Sequence, residues 1–189
     1  MSLARLASLA LLSLISACGY STTLRLPEGH ESVAVEVFAN DSPLPVLERA
    51  LYSSLDANVG RMVSAPLKAP SRADLVVRGR IIDYYRLAGV FDKEGGLAGS
   101  GVVLLVRAWL VDTRTGERVG AEWQWSREVR YAIQVGQSES GALELALTTL
   151  SQELVLDLFS QANYDLTEPS GAQLPAEIPP ELRDAARDE

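Results

Sequence analysis

Val33, Val35 and Val37 alternate with Ala34 and Glu36, and this period of two predicts a first strand ending at Phe38. The run Asn40-Asp41-Ser42-Pro43 predicts a turn and a helix start, with Ser42 capping the free amides and Pro43 at the first helical position. Leu44, Leu47, Leu51, Leu55 and Val59 then fall on one stripe, predicting a helix over 44–59 that is closed by Gly60 in the left-handed conformation. Pro66 and Pro70 mark a loop. Asp74 to Tyr85 is rich in β-branched and aromatic residues and predicts a second strand. Arg86 to Gly101 holds five glycines around Asp92-Lys93-Glu94, which predicts a flexible connecting loop. Val102 to Val111 is the third strand, Asp112 to Glu117 carries hairpin-turn chemistry, and Val119 to Ile133 is a fourth strand with mostly apolar odd positions and mostly polar even ones.

A second helix is expected to begin near Ser138 or Ser140, with Leu143, Leu147, Leu150, Leu154 and Leu158 on one stripe, widened by Leu145, Ala146, Leu156 and Phe159. The order β-α-β-β-β-α predicts an α+β two-layer sandwich, two helices packed on a mostly antiparallel four-stranded sheet. Strand three departs from simple amphipathy. Val102, Leu104, Val106, Ala108 and Leu110 face one way, while Val103, Leu105, Trp109 and Val111 face the other, with Arg107 the one polar residue among them. If helices cover a single side, the other side is an apolar surface of the kind that meets protein or lipid. The alternatives are that the sheet curls over a central strand three, or that the glycine-rich segment folds across it.

The ends of the chain read differently. Arg5, the apolar run Leu6 to Ile15, and the small residues Ser16 and Ala17 have the form of an export leader spanning 1–17, too short at about ten residues for a bilayer that needs ~20. Cys18 is the single cysteine, and Ile15-Ser16-Ala17-Cys18-Gly19 resembles a bacterial lipobox. That resemblance implies a signal peptide cut before Cys18 and fatty acyl chains such as palmitate on the new amino terminus; a plain signal peptide with a chance cysteine stays open. Gly19, where an Asp tends to retain such proteins in the inner membrane, implies sorting to the outer membrane, facing the periplasm. Residues 18–163 form one domain, opened by a polar lead-in over Ser21 to Ser32. The segment 164–189, with seven acids, Arg183, Arg187 and four prolines, reads as a disordered tail.

Composition narrows the function. The formal net charge is −8, from 17 Lys plus Arg against 25 Asp plus Glu. The arginines are dispersed, which argues against nucleic acid. His30 is the only histidine, in a lead-in where it reads as solvated, so triads and metal centres lack their usual residues. Asp83, Asp112 and Glu128 are acids near strand ends with no sign of a catalytic pair, and Gly96 to Gly101 precedes a strand, the wrong context for a phosphate cradle. The expectation is a non-enzyme with no metal or cofactor beyond the lipid.

Cys18-Gly19-Tyr20, the strand Val33 to Asn40 leading through Ser42-Pro43 into a helix with Leu47 and Leu51, and Ala73-Asp74-Leu75-Val76-Val77-Arg78-Gly79-Arg80-Ile81 together resemble the LptE family of lipopolysaccharide-assembly lipoproteins. The TolB amino-terminal domain and CsgG-like lipoproteins share the Val-rich strand ending in Phe-x-Asn. The LptE resemblance implies a lipoprotein of the Gram-negative envelope that plugs the outer-membrane barrel LptD and assists lipopolysaccharide assembly. The alternative is an envelope lipoprotein that scaffolds or activates another periplasmic machine. Strand alternation nominates Arg78, Arg80, Arg107 and Trp109, beside Val103 and Leu105, as ligand-binding residues, with the guanidinium groups meeting lipopolysaccharide phosphates. Arg127 and Arg130 could join them over the same region. Cross-strand pairing of these arginines with Glu122 and Glu128 is the competing explanation.

Overall fold

In the computed structural model, residues 23–162 are described. They form β1 (Val33–Val35), β2 (Ala39–Asn40), α1 (Leu47–Met62), β3 (Leu75–Phe91), β4 (Leu97–Asp112), β5 (Arg118–Ala132), a 3-10 turn (Ile133–Val135) and α2 (Glu139–Gln161). The sheet order is β1-β3-β4-β5, with β2 also on β3. Both short strands run parallel to β3, and β3-β4 and β4-β5 are antiparallel. The expected two-layer α+β sandwich is therefore present, with five strands in place of four. The first strand divides because the chain leaves the ladder after Val35 and returns at Ala39, while Phe38 turns inward and is buried.

Both helices lie on one side of the sheet. Leu47, Leu51, Leu55 and Val59 of α1 and Leu147, Leu150, Leu154, Leu158 and Phe159 of α2 enclose a core with Val77, Ile81, Leu104, Val106, Leu110 and Trp125. Ser138 caps α2 by accepting a hydrogen bond from the Gly141 amide at 3.2 Å, as its position before the apolar stripe suggested. Leu145 and Leu156, expected to widen that stripe, are exposed.

Three local expectations are corrected. α1 starts at Leu47 and not Leu44, because Pro45 biases the residue before it away from helical geometry. Ser42 instead closes a turn by donating to Asn40 Oδ1 at 2.7 Å, and Val46 occupies the position before the helix with φ 64°. Gly60 does not end α1; it sits within it, where the absence of a side chain admits Leu67, whose Cδ1 would lie 3.0 Å from an added β-carbon. The segment 86–101 is not a loop. β3 continues to Phe91 and β4 begins at Leu97, so five residues suffice to turn a long hairpin. Its glycines serve the ladder: a β-carbon on Gly99 would come within 2.7 Å of the Tyr131 carbonyl.

A polar network joins the helices inside this apolar layer. Ser151, fully buried on α2, lies 2.6 Å from Ser54 Oγ, accepts from Asn58 Nδ2 at 2.7 Å and donates to the Thr148 carbonyl; Arg61 in turn donates to Asn58. Buried donors left without partners cost about 1–3 kcal/mol. Ser151→Ala is accordingly expected to lower stability by about that amount, read as a shifted urea midpoint at constant slope. Replacing Ser54, Asn58 and Ser151 together with apolar residues of similar size should recover most of the loss.

Candidate functional site

Among the described residues, the opposite side of the sheet carries no helix. Register fixes who stands beside whom there: Arg78 is opposite Trp109, Arg80 opposite Arg107, Asp83 opposite Leu105 and Tyr85 opposite Val103. All four residues nominated from the sequence thus share one surface, across two neighbouring strands. β4 is central, so Val103 and Val111 are buried by the side chains flanking them, while Leu105 and Trp109 remain half-buried. At the Leu75 end, the approach of residue 73 covers this face and makes a small cluster of Ala34, Ala73 and Val76. The glycine-rich segment does not fold across the face, since it extends the sheet instead.

Each nominated arginine has an acidic neighbour. Arg78 Nε donates to Glu36 Oε2 at 2.5 Å, Arg80 Nη1 to Asp41 Oδ2 at 2.6 Å, and Arg107 Nε lies 3.2 Å from Glu122 Oε1. These groups are near half exposed, and such pairs contribute only about 0–1 kcal/mol, so a phosphate could exchange for the carboxylate at small cost. Arg118, which strand alternation did not nominate, also belongs to the surface. It donates to Glu122 at 2.8 Å, and its guanidinium carbon stands 5.5 Å from the centre of the Trp109 ring, a cation–π contact. A bulge at Gly120, where φ is 75°, brings it there. The bulge keeps the parity of β5, so Arg118 shares the face of Gln124 and Glu128; it went unnominated because the expected strand began at Val119.

Arg127 is corrected to the other side: it faces α2 and pairs with Glu153. Arg130 does lie on the open face, where it pairs with Glu128 two residues away on the same strand. Of the expected cross-strand pairs with Glu122 and Glu128, Arg107–Glu122 alone is formed; Arg118 reaches Glu122 along its own strand, and Arg78 and Arg80 pair with Glu36 and Asp41 instead.

His30 is not solvated. Its side chain is 8 % exposed, with Nε2 3.2 Å from Asp112 Oδ2 and Nδ1 3.2 Å and 3.1 Å from the Pro27 and Glu28 carbonyls. Hydrogen bonds from the Arg114 side chain and amide, with a further one from His30, hold the Asp112 carboxyl well below the usual carboxylate range. This clasp ties the lead-in to the β4-β5 turn. At the far end of the sheet, burial raises the Tyr84 hydroxyl, as does its 2.8 Å hydrogen bond to Glu139, which also receives Arg86. Among the described residues there is no cluster of His, Cys, Asp and Glu able to hold a metal ion, and no helix is long and apolar enough to cross a membrane. Cys18, the leader 1–17 and the tail 164–189 lie outside the described residues.

Fold and surface define a class: a small two-layer α+β module with an arginine-and-tryptophan sheet face that the described residues leave uncovered. No family model and no curated protein matches the chain. Among solved structures it is similar to uncharacterized lipoprotein B from Nitrosomonas europaea, at 14% identity and a TM-score of 0.51, covering 76% of this chain and 88% of that one. It is also similar to the hypothetical protein CT253 from Chlamydia trachomatis, at 12% identity and a TM-score of 0.50, covering 70% and 98%. These likenesses establish the fold, which is one that a bacterial lipoprotein has.

Proposed function

We propose that the chain is a lipoprotein acylated at Cys18, held on the periplasmic side of the outer membrane, whose body seats in an LptD-type barrel and assists lipopolysaccharide assembly without catalysing a reaction. The observation that carries this reading is the open face, where Arg78, Arg80 and Arg107 stand beside Trp109 and Leu105. Lipopolysaccharide presents phosphates next to acyl chains, and charge-assisted donors beside an apolar strip match both parts. The lipobox-like residues around Cys18 and the fold shared with lipoprotein B support the anchored class. Dimensions suit a lumen as well. The 17 residues of β3 extend over about 55 Å, against a hydrocarbon layer of about 30 Å, so an upright body reaches from one leaflet to the other.

The test is the triple variant Arg78→Glu, Arg80→Glu, Arg107→Glu, with lipopolysaccharide binding and barrel co-purification measured separately. A hydrogen bond to a charged group contributes about 1.5–3 kcal/mol, so binding should fall at least tenfold, while the exposed positions leave the urea midpoint nearly in place. Unchanged lipopolysaccharide binding and unchanged barrel recovery would remove these residues from the function. Recovery of a cell-wall synthase or a secretion pore in place of a barrel would favour the scaffolding alternative.

A further inference from the structure

The loop that follows α1 stands where the amino terminus enters the fold. The Leu24 amide donates to the Met62 carbonyl at 2.7 Å, and the Ser64 amide donates to the Leu24 carbonyl at 2.8 Å, so the incoming chain is pinned a few residues from Leu67. Only Gly19 to Thr22 separate Cys18 from Thr23, a reach of about 17 Å when fully extended. Within the loop Leu67 is 38 % exposed, and it lines an open cleft of about 600 Å³ with Lys68, Ala69 and Arg72.

The cations of this loop differ from those of the sheet. Arg78, Arg80, Arg107, Arg114, Arg118, Arg127 and Arg130 all have carboxylate partners. Among the described residues, the side chains of Lys68 and Arg72 make no hydrogen bond or ion pair, and both are exposed. Asp74, the nearest acid in sequence, is occupied by the Ser32 hydroxyl at 2.7 Å and the Glu31 amide at 3.1 Å, and it feels Lys68 only as a charge at a distance. Two cations without a bound carboxylate therefore share a cleft with an exposed apolar residue, close to where the described chain enters the fold.

We infer that this loop is a membrane-contact surface: with Cys18 acylated, Lys68 and Arg72 meet anionic phospholipid headgroups of the same leaflet while Leu67 enters the interface. The inference rests on the acylation proposed above. It adds an orientation, because β3 leads away from this end and carries Phe91 about 55 Å off, beyond the reach of the same headgroups. The exposed apolar residues Val90, Phe91 and Leu97 at the hairpin tip are then presented to a partner and not to the anchoring leaflet.

Acylation consumes the only native thiol, so Leu67→Cys and Phe91→Cys in the full acylated chain each give one labelling site. Fluorescent labels there are read against a headgroup quencher in vesicles of phosphatidylethanolamine with phosphatidylglycerol. The Leu67→Cys label should be quenched and the Phe91→Cys label should not. Each cation near an anionic surface shifts seating by about fivefold, so K68E with R72E should largely abolish quenching at Leu67→Cys, as should phosphatidylcholine vesicles or molar salt, while the protein stays vesicle-bound. An acylated, vesicle-bound protein whose two labels are quenched alike would overturn this inference alone. A chain without acyl mass that fails to bind vesicles would overturn the anchoring as well.

Discussion

Replacing Cys18 by Ala is expected to keep the protein out of the outer-membrane fraction and to leave it with residues 1–17 still attached. The expectation follows from what the cysteine would do. A single myristoyl-length chain binds a bilayer only marginally, with an association constant of about 10⁴ M⁻¹, and each further buried methylene adds about 0.8 kcal/mol. Two or three chains on one residue make release negligible, and among the described residues no helix is long and apolar enough to cross a membrane. The leader itself has about half of the ~20 apolar residues a span needs. Intact mass decides the matter. The native protein should begin at Cys18 and carry several hundred daltons of lipid, whereas Cys18→Ala should carry none and retain the leader. A native product that begins elsewhere, or one with a free thiol, would remove the anchored class altogether. The loss expected is complete, in contrast to the graded loss expected from the arginine variants, which leaves the chain in place and weakens only what its open face holds.

The helices and strand faces were legible because single patterns determine them. The stripe from Leu47 to Val59 and the alternation from Val119 to Tyr131 each survive into the structure, as does the capping position of Ser138. The placement of Arg78, Arg80, Arg107 and Trp109 on one face followed from period-two alternation alone. What was not legible depends on contacts distant in sequence. Glycine content suggested a loop over 86–101, yet three neighbouring strands supply the ladder that holds it extended. The burial of His30 needs Asp112, 82 residues on, and the contribution of Arg118 needs the bulge at Gly120. Gly60 carried a helix-stop signal that tertiary packing of Leu67 overrode. The acids that partner the arginines come from the residues just after β1 and β2 and from the bulge, so charge balance on the face was hidden until the parallel register of β1 and β2 on β3 was known.

Gly79 is the position where one added carbon should matter most. It lies on β3 between Arg78 and Arg80, opposite Ala108, on the side facing the helices. The Phe38 ring rests directly on it. A β-carbon at Gly79 would overlap Phe38 Cε2, approach Phe38 Cζ at 2.6 Å and the Arg107 carbonyl at 2.5 Å. The ring could rotate only by leaving a site where Phe38 is buried, and the carbonyl belongs to the strand beside it, so neither neighbour yields cheaply. Overpacking ordinarily costs about 1–3 kcal/mol and sometimes more, while the intrinsic strand preference of a non-glycine residue returns at most about 1 kcal/mol. The clash therefore outweighs the propensity. Gly79→Ala should lower stability by about 2 kcal/mol and Gly79→Val by about 4 kcal/mol, measured by urea unfolding. Phe38→Ala combined with Gly79→Ala should show a favourable coupling of about 1 kcal/mol or more, since the second deletion removes the first clash. A Gly79→Ala protein as stable as the native chain would mean that the ring does not sit where described. Because Arg78 and Arg80 flank this glycine, any backbone shift that relieves the clash displaces both. Lipopolysaccharide binding should then fall in Gly79→Ala under conditions where the protein is still folded, which links the packing of one aromatic ring to the geometry of the open face.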